Sequence, residues 1–133
     1  MDLELAGKVV LVTGSSAGIG LGIARILAVE GATVVLNGRD AGRLEQARDA
    51  LPDASAFVAD VRDPAECQRL VREVLQRHDR LDVLVCNVGS GASVPPGQET
   101  PDGSWTAGSI ARQVTRKFLN CPGSFFFSCF SIT

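Results

Sequence analysis

The sequence predicts a doubly wound α/β domain, a parallel sheet with helices on both faces that is incomplete on its carboxyl side. Three observations carry this. Short apolar runs alternate three times with segments of helical periodicity, the joints between them are short, and a glycine-rich turn, TGSSAGIG over 13–20, separates the first run from the first periodic segment. Right-handed crossovers turn such an alternation into a parallel sheet. Uninterrupted apolar runs are what strands buried on both faces require.

The first strand is KVVLVT, 8–13, stopped by Gly14. The helix after it carries Ile19, Ile23, Ile26 and Leu27 at i, i+4, i+7, i+8, one apolar face, and ends at Gly31. ATVVLN, 32–37, is the second strand, and a second helix presents Leu44, Ala47 and Leu51 before Pro52. A third strand is expected over Ala56–Ala59. Asp63 then opens a third helix as its cap, with Pro64 in first position and Glu66 three residues past the cap. Its buried stripe is Cys67, Leu70, Val71, Val74 and Leu75, and LDVLVC, 81–86, is the fourth strand. In a sheet of this kind ligands bind beyond the carboxyl ends of the strands where the strand order reverses, which directs attention to Gly14, Asn37, Asp60 and Asn87.

The chain changes character near Asp102. Residues 1–102 hold all 15 acidic residues and 10 of the 13 basic ones, whereas 103–133 hold three bases, no acid and five of the six Phe. The join follows the Pro/Gly-rich stretch SVPPGQETPDG. We divide the chain into a nucleotide-binding region, 1–102, and a divergent apolar and basic tail, 103–133, in which 123–131 is a candidate fifth strand. A structural boundary, a divergent insertion and a shifted reading frame all account for such a join.

A net charge of -2 gives no indication of a nucleic-acid or anionic-membrane binder. No apolar run is long enough to span a membrane, and the amino-terminal segment MDLELAGK does not resemble a secretion signal, so a cytoplasmic location is expected. Cys67, Cys86, Cys121 and Cys129 show no metal or redox spacing; Cys67 and Cys86 read as small buried hydrophobes. No metal site is expected. His78, the one histidine, lies among Arg77, Asp79 and Arg80 and reads as a solvated loop residue.

The glycine-rich turn carries the chemistry. Between a strand and a helix, such a turn brings backbone amides and a helix amino terminus against a pyrophosphate. Gly14 permits the sharp turn, Gly18 the close approach of the phosphates and Gly20 close packing of helix on strand. Thr13, Gly14, Gly18 and Gly20 together meet the form TGxxxGxG, and the chain here resembles the short-chain dehydrogenase/reductase family, with its Rossmann-type fold. The resemblance continues through Asp60-Val61, the pair that in this family lies by the adenine, and through CNVGSG, 86–91, similar to the family's NNAG signature with Cys86 and Val88 as departures. It implies cofactor contacts by Gly14, Ser15, Ser16, Gly18, Ile19, Gly20, Arg39, Asp60, Val61, Asn87 and Gly89, with Asn87 steadying the sheet centre and Gly89 leaving room for the cofactor ribose.

Charge decides between cofactors. The second strand ends LNGRD, and a guanidinium at Arg39 suits a 2'-phosphate where an acid would repel it, so NADP is expected. Asp40, and the lack of a basic residue in the loop, keep NAD as the alternative. The resemblance also implies a catalytic Tyr, a Lys four residues on and a strand Ser, but the chain has no Tyr. Gln113 stands four residues before Lys117 and cannot donate a proton in that way, and Arg112 stands roughly where the family's helix Asn is expected. Within GSFFFSCFSIT, 123–133, Ser131 or Ser128 is the candidate for the Ser. Two readings follow: an NADP-dependent oxidoreductase present as its cofactor-binding part, truncated and inactive alone, or a non-catalytic module that binds dinucleotide. Association with a second copy or with an intact homologue is compatible with either.

Overall fold

The computed structural model describes residues 4–87 and 126–129. Element order is β1 (Val9–Val12), α1 (Gly18–Val29), β2 (Thr33–Gly38), α2 (Ala41–Ala50), β3 (Ser55–Val58), α3 (Pro64–His78), β4 (Val83–Cys86) and β5 (Phe126–Cys129). The strands form one parallel sheet in the order β3-β2-β1-β4-β5. Each chain segment from β1 to β4 is thus a strand–helix–strand unit, as the alternation in the sequence requires.

The sheet divides the core in two, because successive strand residues face opposite sides. Val10 and Val12 of β1 pack with Ala24, Leu44 and Ala47 beneath α1 and α2. Val9 and Leu11 pack with Cys67, Leu70, Val71 and Val74 of α3 on the other side, with Leu75 at the margin. The stripe expected on α3 is therefore its buried face. The Cys67 thiol, desolvated there, is pushed up to about 11, which leaves it a protonated hydrophobe.

On α1 the expected face is half right. Ile19 is 57% and Ile26 63% exposed, while the buried residues are Gly20 and Ala24, with Ile23 and Leu27 at the margin. Small residues at 20 and 24 bring the helix axis close to the sheet, and close approach outranks the larger apolar side chains. The helix starts also differ from one another. Asp40 caps α2 by accepting from the Arg43 amide at 3.0 Å, and Asp63 caps α3 by accepting from the Ala65 amide at 2.9 Å. Glu66 does not turn back on the Asp63 amide but accepts from the amide of Asp60 at 3.2 Å.

Two polar contacts fix the amino ends of the strands. Asp82, 7% exposed, accepts from the Val9 amide at 2.8 Å through Oδ2 and from Arg80 at 2.6 and 3.1 Å through Oδ1, tying β4 to β1. Burial by itself raises the Asp82 carboxyl, but the Arg80 and Val9 hydrogen bonds and the charges of Arg80 and Lys8 outweigh it and hold the group below its ordinary value. His78 is not a solvated loop residue. It is the last residue of α3, and its Nε2 lies 2.7 Å from the Ser55 hydroxyl at the start of β3.

Candidate functional site

The strand order reverses between β1 and β4, and the carboxyl ends of these strands open a crevice. The turn from β1 into α1 runs along it. Gly14 and Gly18 have φ of 64° and 60°, the left-handed region that glycine adopts without strain. Gly20 serves differently. A Cβ there would overlap the Gly14 carbonyl oxygen and stand 2.6 Å from Nδ2 of Asn87, so only a hydrogen lets the first turn of α1 close on the loop.

A buried network holds this turn. The Asn37 side chain donates to the carbonyls of Phe57 and Ala59 at 3.1 and 3.2 Å, and its Oδ1 accepts from the Gly14 amide at 3.5 Å. Its backbone amide donates to Ser15 Oγ at 3.0 Å and its carbonyl accepts from the Ser15 amide at 2.8 Å. Asn37 thereby joins β3, β2 and the loop. Ser15 also donates its hydroxyl to the Val12 carbonyl at 2.8 Å, so both its donors are spent inside the protein. Across the reversal, Thr13 Oγ1 accepts from the Asn87 amide at 3.0 Å and Asn87 Nδ2 donates to the Gly14 carbonyl at 3.3 Å.

What this scaffold presents is a helix amino terminus without a cap. Ala17 precedes α1 and makes no side-chain cap bond, and the first turn has no acid, in contrast to α2 and α3 with their aspartates. The first amides of a helix have no partner within it, and the helix dipole adds partial positive charge there. Beside this end lies a cavity of about 230 Å³ lined by Gly14, Ser16, Asn37, Gly38, Arg39, Ala59, Asp60, Val61 and Asn87. It gathers residues from the carboxyl ends of all four strands β1 to β4. A second cavity of similar size, at the opposite ends of the strands, is lined by residues such as Ala28, Gly31, Leu51 and Pro52 and has no helix amino terminus.

Charge around the first cavity is uneven. Arg39 is exposed and makes no hydrogen bond or ion pair among the described residues. Asp40, its neighbour, is occupied in capping α2. Asp60 is held below the ordinary carboxylate range, chiefly by the Arg62 side chain, with a smaller contribution from the charge of Arg39. Val61 is buried and Ile19 exposed beside the loop. Among the described residues no group of His, Cys, Asp and Glu is arranged to hold a metal ion. Gly89 and Ser131 lie outside the described residues, as do Arg112, Gln113 and Lys117; the backbone of Ser128 lies in β5. Sequence reasoning missed Asn37 and Thr13 as supports of the loop. The one available signal was a polar amide closing an otherwise apolar strand.

The arrangement can bind an anionic group at α1 and extend the ligand over β2 and β3. The short chain dehydrogenase family model matches residues 8–115. Glucose 1-dehydrogenase of Gluconobacter oxydans is 40% identical over 123 residues, covering 89% of this chain and 46% of that protein. Among solved structures, the Pseudomonas aeruginosa RhlG/NADP active-site complex aligns with a TM-score of 0.74 and 30% identity over 88% of this chain and 48% of that one. A short-chain dehydrogenase from Streptomyces avermitilis aligns with a TM-score of 0.78 and 32% identity, covering 92% and 48%. The chain spans less than half the length of each of these three proteins.

Proposed function

The chain belongs to the short-chain dehydrogenase family, and from that premise we propose that it is the cofactor-binding part of an NADP-dependent oxidoreductase. The observation that carries this reading is the bare amino end of α1, uncapped and free of acid, over a cavity that reaches Arg39 and Asp60. These features fit a dinucleotide. The amides of Ser16 to Gly20 would receive the pyrophosphate, with open space at Gly18, while Ser15 braces the loop from behind. Arg39 would meet the 2'-phosphate, and Asp60 and Val61 the adenine. Asn87 would keep the loop against β4, and Gly89 belongs to the same reading. When bound, a nicotinamide supplies or accepts a hydride.

NADP is favoured over NAD because Arg39 lines the cavity and is unengaged, whereas Asp40 caps α2 and does not line the cavity. The NADP in the P. aeruginosa complex supports the same choice. A cytoplasmic location completes the reading; separately, no helix among the described residues is long and apolar enough to cross a membrane. Titration of NADPH and NADH into wild type and Arg39→Ala, followed by calorimetry, tests it. Loss of a charge-assisted contact should weaken NADPH binding about tenfold or more and leave NADH nearly unchanged. Equal weakening of both would refute a 2'-phosphate role.

A further inference from the structure

Asp60 ends the β3 side of the cavity, and its carboxylate is almost filled by one neighbour. Oδ1 accepts from the Arg62 amide at 3.0 Å and from Arg62 Nε at 3.0 Å, and Oδ2 accepts from Arg62 Nη2 at 2.9 Å. A carboxylate offers about four acceptor sites. Arg62 takes three of them, both on Oδ1 and one on Oδ2, so a single acceptor site remains, on Oδ2.

The backbone beneath is held as firmly. Glu66 accepts from the Asp60 amide at 3.2 Å and from Arg69 at 2.9 Å, and Arg69 donates onward to the Val58 carbonyl at 3.0 Å. A brace from α3 therefore sets where the Asp60 main chain stands, while Arg62 sets its carboxylate. Arg62 is half exposed and packs into no part of the core, so its guanidinium has no visible task other than Asp60.

We propose that Arg62 is a positioning residue for base selection: by filling three acceptor sites it leaves Asp60 one fixed, ionised acceptor, which accepts an N–H from a 6-amino purine and rejects a 6-oxo purine. The proposal rests on the cofactor reading above and assigns to it a residue that does not itself line the cavity. An acceptor facing an acceptor is left unpaired and repelled, the type of mismatch that buried polar recognition penalises most. The selection therefore depends on Asp60 being both charged and held still.

The test is a fluorescence titration of wild type, Arg62→Ala and Arg62→Lys with NADPH and with its hypoxanthine analogue, alongside NADH. Wild type should prefer the adenine form by about tenfold. Arg62→Ala should lose most of that preference by weakening the adenine form alone, with the ratio of NADPH to NADH affinity unchanged because Arg39 is untouched. Arg62→Lys, which keeps the charge and one donor head, should recover part of the preference. Equal weakening of both purine forms, or an unchanged preference in Arg62→Ala, would overturn the Arg62 role while leaving the cofactor reading intact. Failure of wild type to bind any of the three would overturn both.

Discussion

A methyl group at Gly20 has nowhere to go, since it would meet a backbone oxygen of the loop and the amide of Asn87. At Gly22, on the same helix, a Cβ meets nothing within 4 Å. The two substitutions to Ala are therefore expected to differ in sign. Gly20→Ala should cost about 1–3 kcal/mol by overpacking, and Gly22→Ala should stabilise by about 0.5–1 kcal/mol, the helical advantage of Ala over Gly. Urea denaturation of both variants measures this, and destabilisation by both would show that the close approach at Gly20 is not the controlling feature. The three loop glycines were legible in the sequence because their spacing alone implies a turn, an approach and a packing contact. Asn37 was not legible as a support. Its hydrogen bonds reach residues 14, 15, 57 and 59, and nothing local in LNGRD encodes those partners.

The contact between the end of α3 and the start of β3 gives the fold a pH dependence. Burial, and then the charge of Arg77, push His78 below its ordinary value of 6.5. Its proton is bound less readily folded than unfolded, so the contribution to stability is complete above about pH 6.5 and is lost as pH falls through the lower folded value. His78→Gln should flatten the stability profile between about pH 5 and 7 and leave the acid limb set by Asp60 and Asp82, whose carboxyls are both held low. Thermal denaturation across that range checks it; an unchanged slope would remove His78 as the cause. Among the helices, α3 was read correctly because its apolar stripe, its aspartate cap and its proline agree. On α1 the isoleucines drew attention from Gly20 and Ala24, since periodicity shows that a helix has an apolar side but not how near its axis lies to the sheet.

Across the whole molecule, β5 adds a fifth strand whose Phe126 to Cys129 run in register with Val83 to Cys86. Amide hydrogen exchange in the Phe126–Cys129 segment should therefore be slowed to rates comparable with those of Val83–Val85; exchange within seconds across 126–129 would show that this pairing does not persist. A second expectation concerns turnover. Positioned acid–base catalysis commonly contributes about 10²–10⁴-fold, and a chain with no Tyr cannot supply the phenol that the family resemblance implies. The 133-residue chain alone should oxidise NADPH with a panel of aldehydes and ketones at well below about one turnover per second, near the low end of ordinary enzymes. Turnover above that in protein free of host reductases would show that another group donates the proton. By itself the sequence determined the alternation of strands and helices, the glycine turn and the basic residue after the second strand, because each is written in neighbouring residues through propensity, spacing or charge. Only the tertiary structure decided the order β3-β2-β1-β4-β5, the face on which α1 is buried, the commitment of Asp40 to a helix cap and the capture of Asp60 by Arg62. Those outcomes depend on which backbone groups are left unpaired once the elements pack, and that competition is settled by contacts between segments, not within them.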